Sequence, residues 1–168
     1  MYRHVRFVLI SFVVLFIVVT LISLVIPFNV RISRAADINA SKREVMEQLS
    51  NPANWKKWYP GTDTLPYLYV NGEIKGITYG KNGAKGLLLH EVSDTSVTTE
   101  NTGTGARRIK MGWNIITHKD TNSVTVQWYM DFKLRWYPWE KFSSLIFDKQ
   151  YGSMMEKGLT NLKKVVEQ

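Results

Sequence analysis

Few side chains in this 168-residue chain suit acid–base work at neutral pH. There are three histidines; His4 precedes a long apolar segment, which leaves His90 and His118 with their neighbours Glu91 and Asp120. Histidine is the side chain whose ordinary pKa lies near neutrality, so proton transfer would be sought there first. His90 and Glu91 are adjacent in a run with strand character, and successive strand residues point to opposite faces, which argues against a dyad. His118 stands at a strand end beside a turn and reads as exposed. No Ser-His-Asp order, metal-ligand spacing or phosphate-binding glycine loop appears, and three scattered histidines make no metal site. With no cysteine, thiol nucleophiles, zinc–thiolate sites, iron–sulfur clusters and disulfides are excluded. No metal or cofactor is expected.

Aromatic clusters offer binding instead. "NPANWKKWYPG", residues 51 to 61, sets Trp55, Trp58 and Tyr59 among two lysines and two prolines; such rings serve as core, stacking platform, membrane-interface anchor or pocket rim. "LRWYPWEKF", residues 134 to 142, mixes Trp136, Tyr137 and Trp139 with Arg135 and Lys141, the composition of a membrane-interface belt and also of a packed corner. Arg107, Arg108 and Lys110 near Trp113 resemble a nucleic-acid patch, yet no recognisable binding motif frames them, and no nucleic-acid partner is expected. The net charge of +8 suits anionic headgroups, nucleic acid or an ordinary soluble surface.

The elements that must position these residues can be read in order. From Phe7 to Phe28 runs an uncharged apolar stretch, "FVLISFVVLFIVVTLISLVIPF", which as a helix would span roughly 33 Å, enough to cross a bilayer. A cleaved signal has a shorter apolar region, about 7 to 15 residues, and a cut at Ser33-Arg34-Ala35 would remove the first strand of the domain after it. Residues 1–28 are therefore expected to be an uncleaved single-pass anchor, placing the protein in the cell membrane with 29–168 as one domain. Two Lys/Arg residues precede the span and Arg31, Arg34, Lys42 and Arg43 come after it, which favours a cytoplasmic domain, whereas short N-terminal anchors often export the domain behind them; the side stays open.

Residues 28 to 38 alternate as a strand. Ser41 with Glu44 forms a capping box for a short helix whose apolar side is Val45, Met46 and Leu49. Asn51-Pro52 starts a second short helical turn carrying Trp55 and Trp58, and Pro60-Gly61 ends it. Strands are expected over 65–70, 73–79, 84–92, 95–101, 107–118 and 123–136, separated by hairpin chemistry such as Asn71-Gly72, so an antiparallel meander results. From Pro138 a single helix of about 28 residues is expected, with Phe142, Leu145, Ile146, Met155, Leu159, Leu162 and Val166 on one stripe. Gly152 and Gly158 each cost about 1 kcal/mol against alanine there, which calls for either close approach of helix to sheet or room for a ligand. Met154 and Met155 add adaptable apolar surface.

The stretch "RAADINASKREVMEQLSNPANWKKWYPG" resembles the opening pattern of the helix-grip superfamily, and "GLTNLKKVVEQ" its closing helix. That superfamily comprises the polyketide cyclase/dehydrase and lipid-transport proteins related to the steroidogenic-acute-regulatory lipid-transfer domains and the birch pollen allergen, and the resemblance covers residues 29 to 167. It implies an α+β fold in which a bent antiparallel sheet wraps a long C-terminal helix around an apolar cavity. Trp55, Trp58, Trp113, Trp128, Met130, Met155 and Leu159 are the expected lining. The expected function is membrane-anchored binding or transport of a lipid or other hydrophobic small molecule, without catalysis. The alternatives are a cyclase- or hydrolase-like enzyme of the same superfamily, and a structural or partner-binding domain with a filled cavity.

Overall fold

The computed structural model describes residues 2–80, 83–103, 109–118 and 122–168. The first helix, α1 (Tyr2–Ser23), leaves its apolar side chains exposed along almost its whole length, and its segment Arg3–Ser23 is long and apolar enough to cross a membrane. It stops five residues short of the expected Phe28. Pro27 cannot continue a helix and disfavours helical backbone at Ile26, so a tightened turn with Ile26 N–H on Ser23 O ends it.

Seven strands come after it: β1 (Asn29–Ile38), β2 (Tyr67–Val70), β3 (Glu73–Tyr79), β4 (Lys85–Val92), β5 (Ser96–Gly103), β6 (Ile109–Thr117) and β7 (Val124–Lys133). They form one antiparallel sheet in the order β1-β7-β6-β5-β4-β3-β2, with β1 crossing over to pair with β7 and the rest a meander. At the β2–β3 hairpin Asn71 and Gly72 both have positive φ, 54° and 83°, the backbone that two-residue hairpins demand and that these residue types tolerate. β7 ends three residues earlier than its alternation suggests. The Arg135 N–H is taken by the Glu140 carboxylate at 2.6 Å, which turns the chain out of the ladder. Lys81, Asn82, Arg107, Arg108 and Asp120 lie outside the described residues.

Between β1 and β2 lie α2 (Lys42–Ser50), with the expected capping box at Ser41 and Glu44, a 3-10 turn (Pro52–Asn54) and α3 (Trp55–Trp58). The C-terminal segment is not one helix. It splits into α4 (Pro138–Ser144) and α5 (Phe147–Val166), and Leu145 and Ile146, expected on the buried stripe, are exposed. The Ser143 and Ser144 hydroxyls bond back to Glu140 O and Lys141 O, both at 2.7 Å, while Leu145 and Ile146 N–H reach only three residues back. Such competition tightens the last turn and redirects the chain. α5 packs its Met155, Leu159 and Leu162 against β1, α3 and the inner face of the sheet. Arg34 of β1 reaches across it to Asp148 at 2.9 Å and Glu156 at 2.7 Å.

Candidate functional site

Strand register sorts the inner face of the sheet into rows. The first row runs Val30, Phe132, Ile109, then by Lys110–Glu100 pairing to Asn101, Leu87 and Ile77. The second holds Ile32, Met130, Met111 and Thr99; the third holds Arg34, Trp128, Trp113 and Val97. Asn29 directly precedes the first row and comes just after the end of the apolar segment.

A cavity of about 330 Å³ lies over the first two rows, lined by Ile77, Tyr79, Leu87, Asn101, Ile109, Met111 and Met130 from the sheet, by Tyr151 and Met154 from α5, and by the loop Tyr59–Leu65. Five successive strands can face one such space only because the sheet curls around α5. The volume falls at the lower end of the ~300–1,000 Å³ typical of small-molecule sites.

The wall is apolar except for Asn101, Thr62, whose hydroxyl donates to Trp55 O and Tyr59 O, and three phenols. Tyr59 is buried with its hydroxyl 3.5 Å from Met111 Sδ. Burial, and secondarily the neighbouring Tyr79, push its pKa up; burial and then Tyr151 do the same for Tyr79. Both therefore remain protonated at neutral pH, keeping an O–H to donate.

The third row belongs to a different feature. Trp58 meets Trp113 edge-on at 5.6 Å and Trp128 at 6.1 Å; Trp113 lies 5.4 Å from Trp128, and Trp55 completes the cluster at 6.1 Å from Trp113. The indole N–H groups of Trp55 and Trp58 donate to Leu49 O and Gln48 O, which fixes α3 against α2. Those of Trp113 and Trp128 have no acceptor among the described residues. Tyr59 joins the two regions, with its ring 5.0 Å from that of Trp128 and its edge on the cavity.

Of the seven residues expected to line a cavity, Met130 does so. Trp55, Trp58, Trp113, Trp128, Met155 and Leu159 are buried together behind it. Tyr79, Asn101, Tyr151 and Ile77 went unmarked in the sequence, although Tyr79 and Ile77 share the inner parity of β3. Both helix glycines mark close approach. A Cβ on Gly158 would stand 2.4 Å from the Trp128 ring, and one on Gly152 2.4 Å from the Arg34 guanidinium.

The acid–base candidates are elsewhere. His118 is exposed, its Nε2 2.8 Å from the Thr125 hydroxyl, which donates to Asp37 at 2.5 Å; the acid touches the hydroxyl rather than the imidazole. A bulge between Leu89 and Glu91 breaks the alternation on β4, and His90 and Glu91 both line one groove with Lys110 and Tyr129. Lys110, from the basic run, stands 3.8 Å from Glu100.

A family model described as polyketide cyclase/dehydrase and lipid transport matches residues 29–167. No match was found among curated proteins. Among solved structures, a START superfamily protein from Mycobacterium smegmatis superposes with a TM-score of 0.60 at 16% identity, covering 82% of this chain and 97% of that one. The Zhui aromatase/cyclase from Streptomyces sp. R1128 gives 0.59 at 12% identity, covering 83% and 94%. The Aha1 dimer from Colwellia psychrerythraea gives 0.54 at 17%, covering 82% and 96%. At such identities the likeness is one of fold. The sheet curled around α5 and the family match over nearly all of the chain beyond α1 agree, and the chain belongs to the polyketide cyclase/dehydrase and lipid-transport family, on the helix-grip fold.

Proposed function

We propose that residues 1–28 anchor the chain in the cell membrane as a single pass, and that residues 29–168 hold a lipid or other hydrophobic small molecule with one polar end in the cavity. The observation that carries this reading is the cavity itself: a largely apolar space with three phenols in its wall, over the first two rows of the sheet, whose β1 members Val30 and Ile32 come soon after the apolar segment in the chain. Apolar burial at ~25 cal/mol per Å² would drive binding, and the phenols with Asn101 would orient the polar end. The volume suits one acyl chain or a compact ring system. Met130 would touch the ligand, while Trp55, Trp58, Trp113, Trp128, Met155 and Leu159 would keep the wall rigid from behind. A domain tethered by the anchor would exchange its ligand directly with the bilayer.

A second reading has its own support. Protonated Tyr59 and Tyr79 beside Asn101 could polarise a ligand carbonyl, as a cyclase- or dehydrase-like reaction requires.

Native mass spectrometry of the full chain released from mild detergent tests both. One apolar adduct per chain is expected, lost when Ile77 and Leu87 are replaced by phenylalanine to fill the cavity. An adduct that survives in that variant belongs to α1, and a bare mass for the unaltered chain would remove the binding reading. Bound material converted with loss of water would favour the enzyme.

A further inference from the structure

Helix α4 is inside out. Its charged residues Glu140 and Lys141 are 5% and 0% exposed, whereas Trp139 is 62% exposed and the flanking Trp136, Leu145 and Ile146 are 55%, 68% and 60% exposed. Among the described residues of 29–168, these are four of the eight exposed large hydrophobics, gathered within eleven positions. Tyr137 binds the cluster, its ring stacked at 4.9 Å on Trp139 and 4.8 Å from Trp136. Trp139 and Ile146, seven apart, lie on one face of nearly helical backbone, since Leu145 and Ile146 keep helical dihedrals.

The inward charges explain how this arrangement is held. Glu140 accepts the Arg135 backbone N–H and pairs with its guanidinium at 3.0 Å. Lys141 donates to Ile26 O at 2.7 Å and lies 3.7 Å over the Phe28 ring. The ammonium thus sits at the carbonyl end of the turn that closes α1, where a positive charge is favoured. α4 is thereby fixed to the exit of α1, whose last apolar residues Leu24, Val25 and Phe28 are themselves exposed.

We propose that the α4 corner, through Trp136, Trp139, Leu145 and Ile146, docks into the interfacial layer of the same bilayer that α1 spans. The proposal rests on α1 being membrane-spanning. Continuity selects the occupant: the patch adjoins the exposed apolar end of α1 through a buried lysine clamp, so a bilayer around α1 reaches it without any further partner. Tryptophan and tyrosine favour the headgroup level, where one side of the ring is apolar and the other wet. Arg135, exposed and with its guanidinium 5.0 Å over the Tyr137 ring, is the cation beside it. Water alone would select the opposite arrangement of α4, with Trp139 turned in and Glu140 turned out. Docking would hold the first row of the sheet, and with it the cavity, against the lipid surface.

The chain's own fluorescence provides the test. Of six tryptophans, Trp55, Trp58, Trp113 and Trp128 are buried and only Trp136 and Trp139 are exposed, while α1 has none. The full chain is reconstituted into phosphatidylcholine vesicles, carbonate-resistant flotation confirms insertion, and quenching by acyl chains brominated at shallow or deep positions is compared. Shallow bromines are expected to remove up to a third of the emission and deep ones much less. W136F/W139F abolishes the quenchable fraction. L145K/I146K, which leaves both reporters and alters only exposed positions, reduces quenching at least twofold. Emission unchanged by bromines at either depth in a floating chain would overturn the proposal and leave the patch to a protein partner. A chain that does not float would overturn the anchor itself, and the docking with it.

Discussion

Gly158 of α5 faces the six-membered ring of Trp128 so closely that a Cβ at that position would lie 2.4 Å from Cζ3 and 3.1 Å from Pro60 Cδ. Trp128 is fully buried among three other tryptophans and has nowhere to move. Gly158→Ala is therefore expected to destabilise the domain by about 1–3 kcal/mol, because forced overpacking outweighs the ~1 kcal/mol gained in helix propensity. Gly152→Ala meets only the end of the flexible Arg34 side chain and should stay within about 1 kcal/mol of the original. Urea denaturation of the two variants, followed by tryptophan emission, checks the contrast.

Lys141 ties α4 to the exit of α1, so Lys141→Met should loosen both. A hydrogen bond from a charged donor nets about 1.5–3 kcal/mol, and the variant leaves Ile26 O without its partner. Hydrogen exchange of amides 134–144 is expected to rise, while those of β3 and β4 stay protected. Equal protection throughout would show that the clamp contributes nothing.

Arg34 holds the Asp148 carboxyl below the ordinary aspartate range, chiefly by hydrogen bonding. A carboxyl whose pKa is lower folded than unfolded adds stability above its unfolded value, near 3.9, and loses it as pH falls through the folded one. The difference in denaturation midpoint between the unaltered chain and Asp148→Asn should be constant above about pH 5 and shrink toward zero below about pH 4. A difference that grows on acidification would contradict the pairing.

If the phenols orient a ligand, Tyr79→Phe and Tyr151→Phe should each weaken binding of a long-chain acid or alcohol roughly two- to tenfold, the worth of one neutral hydrogen bond. Binding of the matching hydrocarbon should be unchanged. Titration by displacement of a fluorescent fatty acid separates the two, and equal losses for both ligands would point to packing instead of polar recognition.

Much of this molecule was written locally. Ser41 and Glu44 announce the start of α2, Asn71-Gly72 the tightest hairpin, and the alternation from Val124 to Phe132 the buried face of β7, because each depends on residues within a few positions of one another. The six-strand meander, the helix behind it and the apolar first segment arise from the same short-range periodicities.

Position in three dimensions decided the rest. Periodicity marks Trp128 and Met130 as equally inward, but only cross-strand register puts Met130 on a cavity and Trp128 against α5. The phenols of Tyr59, Tyr79 and Tyr151 come from a loop, a strand and a helix that share no local pattern. Lys141 turns inward because the Ile26 carbonyl arrives from a distant part of the chain, 115 positions away. Sequence determined which faces were apolar. Curvature of the sheet around α5 determined where that surface closes into core, where it leaves a space, and where it faces outward beside α1, since packing distances are set between elements and not within them.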